Sequence, residues 1–172
     1  ILSFTGIMSF TATTSQTITT NGIIITGPLQ FNGVAGVWQN QDAFTSTNTV
    51  TLIRGTWDCS LATTKVAGFV SSSGFARVWA LGNTLFEVTS STGAVIGTPT
   101  GQTVTTGGSS KIKFSGVTGA TPFSAQSFTY DDVEFSGGNS TLTMGQGHFR
   151  DLLVTNPGTG TLTLSGTPFF RN

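Results

Sequence analysis

The stretch TYDDVEFSGG (129–138) is echoed by FRDLLVTNPG (149–158), and this echo constrains the fold more than any other feature of the 172-residue chain. Offset by nineteen places, Tyr130 falls on Phe149, Val133 on Leu152 and Phe135 on Val154. One place of slip further on, Leu142 and Met144 fall on Leu162 and Leu164. Each copy holds two short runs of alternating apolar and polar residues, separated by Gly, Asn or Pro turns. Alternation sends one side of a strand inward and the other to solvent. A lone coil of about twenty residues cannot bury its inner side, but stacked neighbours can, so a repeat near that period predicts a parallel β-solenoid. The second run recurs upstream: NTVTLIRG (48–55), SSKIKFSG (109–116), NSTLTMGQG (139–147) and GTLTLSG (160–166) share one pattern, with QTITTNGIIITG and GPLQFNG as looser versions. An antiparallel sandwich or jelly roll has the same alternation and stays as the alternative, although it needs turn signals without matched copies.

Composition narrows the class further. Thr, Phe and 23 Gly dominate, as strands and tight turns require, and no segment keeps a helical period over three turns. The reading is therefore one all-β repeat domain over residues 1–172. Only 8% of residues are charged and the net charge is zero, so nucleic acid is not an expected partner. No run of about 18 apolar residues occurs, so membrane insertion by a helix is not expected either. The single cysteine, Cys59, cannot build a disulfide framework and reads as a small buried hydrophobe. The chain opens on Ile1, and ILSF and TPFFRN at its two ends are apolar. The expectation is a processed piece of a longer chain whose uncapped coil ends meet flanking sequence or another copy, with Phe169 and Phe170 as the end or oligomer contact.

PLQFNGVAGVWQNQDAFTSTNTVTLIRGTWD (28–58), GFVSSSGFARVWALGNTLFEVTSSTG (68–93) and TYDDVEFSGG (129–138) resemble segments of large, repetitive surface proteins of two kinds: bacteriophage tail-fibre-like and bacterial adhesin-like chains. The resemblance runs from about Thr17 to Gly166 and carries no catalytic residues. It implies an extended β-helical structural element of a virion tail or cell surface, extracellular or on the virion, working as a homo-oligomer with a trimer favoured. Other virion or surface components, or a cell-surface glycan, would be its partners. Where such repeats commonly carry an amide pair after the aromatic, this chain has Asp131 and Asp132.

Asp131, Asp132, Glu134 and Asp151 form the candidate face for a cation or glycan. The nineteen-residue offset sets Asp132 beside Asp151 and Asp131 beside Arg150. Close carboxylates can serve as acid and base of a glycoside hydrolase, or hold a cation such as Ca²⁺. The plainer alternative is that Asp131 and Asp132 close a turn, with Arg150 as charge partner. His148, the lone histidine, reads as an exposed turn residue just outside a strand. Trp38, Trp57 and Trp79 lie in alternating segments and read as packing, with a sugar-stacking surface as the alternative. No cofactor is implied. The expected role is non-enzymatic and structural, with a glycan-binding or glycan-cleaving module and a self-assembling filament or shell subunit as the rivals.

Overall fold

The computed structural model describes residues 1–90, 94–95, 99–116, 121–137, 140–145, 147–155, 162–166 and 169–170, with backbone alone at 94–95, 121–122, 140–145, 162–166 and 169–170. Among these residues there are strands but no helix, and every strand pairing is parallel. The chain is a β-solenoid whose coils stack about 21 residues apart.

The pairings sort into three ladders, visited in rotation as far as Lys111–Phe114. The first runs through Met8–Phe10, residues 29–31 of Leu29–Asn40, 49–52 of Phe44–Asp58 and 68–70 of Thr64–Val70. It continues through Ala94–Val95, Thr121–Ser124, Ser140–Gly145 and Leu162–Gly166. The second joins Ser15–Ile18, 37–40, 55–58, Arg77–Gly82 and Gln102–Thr106. The third joins Ile24–Ile25, 44–46, 64–66, Leu85–Val88, Lys111–Phe114, Thr129–Phe135 and His148–Val154. The coils as far as Lys111–Phe114 therefore have three paired sides, whereas from Thr121 onward the paired strands alternate between the first and third ladders.

The nineteen-residue pairing of Tyr130 with Phe149 and of Val133 with Leu152 is the observed register. The second alignment is corrected: Leu142 pairs with Leu164, not Leu162, a step of 22 residues. An even shift leaves the inward and outward sets unchanged, so alternation alone could not separate the two registers. The look-alike runs also divide between sides. Residues 49–52, 140–145 and 162–166 share the first ladder, whereas Lys111–Phe114 lies in the third.

Inward residues make a column of rings. Trp38 pairs with Trp57 and Trp57 with Trp79, and all three side chains are buried. Phe31 lies 5.1 Å from Trp57, Phe69 4.5 Å from Trp79 and Trp79 4.8 Å from Phe86. A second run joins Phe123, Phe114 and Phe135, with Tyr130 packed against Phe123 and stacked 5.7 Å from Phe149. Tilted, edge-on and offset rings of this kind add about 0.5–1.5 kcal/mol per pair to the burial itself. Burial pushes the Tyr130 hydroxyl well above its usual range, and it donates to the Ala125 carbonyl at 3.1 Å. Trp57 Nε1 donates to Asn40 Oδ1 at 3.2 Å while Asn40 Nδ2 donates to Thr64 Oγ1 at 2.9 Å, so the amide at the coil corner ties neighbouring coils together.

Candidate functional site

Stacking gathers the charge of the chain onto the third side. Lys65 pairs in register with Glu87, Glu87 with Lys113 and Lys113 with Glu134. These outward positions alternate in sign along the axis, and the ion pairs close at 3.2 Å (Lys65–Glu87) and 3.3 Å (Lys113–Glu134). Lys111 reaches the other oxygen of Glu134 at 3.2 Å. Burial pushes Glu134 up, but the two lysines outweigh it and hold its carboxyl below the usual glutamate value.

Asp132 and Asp151 stand in register, as their spacing predicts. Between them lies Arg150, whose Nη2 is 2.7 Å from Asp132 Oδ1 and whose Nε is 3.8 Å from Asp151 Oδ2. The bond to Asp132 raises the Arg150 guanidinium above its ordinary value. Arg150 also donates to the Gly108 carbonyl. The register keeps Asp131 opposite Arg150, as the offset predicts, and of the two aspartates it is Asp132 that Arg150 takes as its charge partner. Lys111, Asp132, Val133, Glu134, Asp151, Leu152 and Leu153 line an open groove of about 310 Å³.

Asp131 does something else. Neither it nor Asp132 closes a turn, since both lie inside the strand Thr129–Phe135. The Asp131 carboxylate is buried and accepts from Gly108 N (3.0 Å), Ser110 N (2.9 Å), Ser110 Oγ (2.8 Å) and Thr106 Oγ1 (3.3 Å). Burial pushes its pKa up, and these bonds outweigh that and keep it below the usual carboxylate range. Asp42 plays the same part near the other end, accepting from Thr20 N at 2.8 Å and Asn21 N at 2.6 Å. Each aspartate caps the backbone donors of the corner in the preceding coil.

The proposed face therefore comes apart into two parts. Asp132, Glu134 and Asp151 share the groove, while Asp131 belongs to the corner beneath it. Among the described residues no three His, Cys, Asp or Glu side chains gather as metal ligands. His148 is the half-buried first residue of His148–Val154 rather than an exposed turn residue, because Thr129 of the neighbouring coil pairs with it. The tryptophans are core, so they offer no sugar-stacking surface. Cys59 is buried, and desolvation raises its thiol far out of the reactive range. Phe169–Phe170 pairs with His148 and Phe149, and its side chains lie outside the described residues.

One group escaped the sequence reading. Arg77 is a buried cation that donates to Ser71 Oγ (2.7 Å), Phe75 O (3.0 Å), Thr100 O (3.0 Å), Ser71 O (3.2 Å) and Ser73 O. Desolvation lowers its pKa. The run SSSGFAR contains the signal, a cation closing a glycine- and serine-rich loop, but nothing local shows that Thr100 meets it. No protein-family model, curated protein or solved structure matches this chain.

Proposed function

We propose that this chain is a non-enzymatic structural element: a rigid β-solenoid section of a virion tail fibre or appendage, or of a surface adhesin, acting outside the cell or on the virion. The observation that carries the reading is the set of parallel ladders stacked around an aromatic core, with Lys65, Glu87, Lys113 and Glu134 paired from coil to coil. A stacked ladder of this kind resists bending and needs no ligand to hold its shape. Within the groove, Lys111 and Lys113 hold Glu134 below its usual value, the opposite of what a general acid for glycoside cleavage requires. The first coil exposes Ile1, Ile7 and Ile23, and its strands Met8–Phe10 and Ser15–Ile18 each pair with one neighbouring strand. This supports contact with a further β-surface, and a homotrimer is the assembly proposed.

Light scattering of the purified chain across a hundredfold concentration range tests the reading. A trimer or longer assembly that survives dilution supports it; a monomer throughout refutes the oligomeric shaft. A second reading, a glycan-binding or glycan-cleaving module, is favoured by the groove between Asp132, Glu134 and Asp151. Loss of glycan binding or cleavage in Asp132→Asn, with an unchanged circular dichroism spectrum, would support it.

A further inference from the structure

The corner between the first and second ladders carries an arginine that the ion-pair pattern leaves over. Lys65, Lys111, Lys113 and Arg150 each sit within 4 Å of a carboxylate. Arg54 has no carboxylate partner among the described residues. Its guanidinium carbon lies 3.6 Å from the centre of the Phe75 ring, and its Nε is shielded from water with no acceptor. A guanidinium held over a ring face by cation–π attraction still has terminal N–H groups to offer a forked oxyanion.

Phe75 is 47% exposed, yet the loop that bears it is tightly held. Ser73 Oγ donates to Ile53 O at 2.5 Å, Gly55 N to Ala76 O at 3.1 Å, and Arg77 grips the carbonyls of Ser71, Ser73, Phe75 and Thr100. The backbone that carries the ring is thus held before any ligand arrives, which lowers the entropic cost of binding. One coil along the axis, the corner 33–36 presses against Gly55 and presents Val34, 61% exposed. Ser72 in the same loop and Thr100, whose carbonyl shares Arg77 Nη1 with the Phe75 carbonyl, are also exposed.

We propose that Arg54, stacked on Phe75, is a binding subsite for the anionic group, carboxylate or sulfate, of an acidic polysaccharide. The guanidinium takes the oxyanion, the exposed Phe75 ring edge and Val34 meet the C–H surface of the sugar, and the neighbouring hydroxyls meet its hydroxyl groups. The subsite lies on a different corner from the groove at Asp132, and it stands whether or not the chain is a fibre. A shallow corner lined by hydroxyls suits a chain of sugars better than a peptide, whose apolar side chains need deeper pockets.

Affinity electrophoresis of the whole chain in gels containing polygalacturonate, dextran sulfate, neutral dextran or polyglutamate tests this. The wild type should be retarded by polygalacturonate, dextran sulfate or both, and not by dextran. Which polyanion works identifies the oxyanion. Arg54→Met should weaken retardation about fivefold or more, with Lys65→Met unchanged, and added salt should weaken it as well. Should Arg54→Met not fold, Phe75→Ala at the exposed ring reads the same site. No retardation by either polyanion, equal retardation by dextran, or variants that bind like the wild type would overturn the proposal. Equal retardation by polyglutamate would overturn the saccharide assignment.

Discussion

Replacing Asp131 separates a structural carboxylate from a functional one. The carboxylate receives four hydrogen bonds from the corner 106–110, three of them on Oδ2. In Asp131→Ala, water can reach the exposed Gly108 and the partly exposed Thr106, but Ser110 is buried. The Ser110 amide and hydroxyl would then be left without acceptors, at about 1–3 kcal/mol each. A loss of roughly 3 kcal/mol follows, since the two penalties are not fully additive. In Asp131→Asn the amide oxygen can take the Oδ2 place and keep three bonds, while the NH₂ faces Thr106 Oγ1, which can accept. Only the charge is lost, so about 1 kcal/mol is expected. The pH dependence has a definite sign. The folded-state pKa lies below the ordinary carboxyl value, so the contribution is complete above about pH 4 and is lost as pH falls through the folded value. Urea unfolding of wild type and both variants at pH 7, 4 and 2.5 checks this, with the deficit of each variant shrinking towards acid. Equal losses for Ala and Asn, or an Ala deficit that does not change with pH, would refute the reasoning.

Other expectations follow from the same contacts. Arg77→Met removes a buried cation from four carbonyl-bearing residues and should cost about 3–5 kcal/mol, a fall in Tm on the order of 10 °C by thermal circular dichroism. Arg77→Lys should recover little of this, because one ammonium group cannot span both loops. Gly55→Ala sets a Cβ 2.5 Å from Gly36 O at a φ of +78°, so it should destabilise by about 2 kcal/mol or more in urea unfolding; a change below 0.5 kcal/mol would contradict the stacked corner. Trp57→Ala opens the centre of the ring column and should cost about 3–5 kcal/mol or more, with collapse of the near-ultraviolet dichroism. Glu134→Gln should cost under about 1 kcal/mol, since its lysine partners are substantially exposed, and the small loss should fade in high salt.

The fold class was written in the chain because a strand's in-and-out alternation is local, and the apolar positions Tyr130, Val133 and Phe135 repeat at a fixed step wherever successive coils have equal length. The register of Leu142 was not, because alternation repeats every two residues and cannot tell a step of 20 from one of 22. For the same reason KIKF and TLIR look alike in sequence yet lie on different sides. The unequal coils hid more: 19 residues separate Trp38 from Trp57, 22 separate Trp57 from Trp79, and 26 separate Phe86 from Ile112. In the candidate site the sequence placed Asp132 beside Asp151, since backbone pairing sets that neighbour. It could not decide which aspartate Arg150 would choose, because that depends on which carboxylate the corner 106–110 has already claimed. The alternating Lys65–Glu87–Lys113–Glu134 column and the Arg54–Phe75 stack belong to tertiary structure alone. Their members are separated by more than twenty residues of chain, and they become neighbours only when corner lengths have set the stacking.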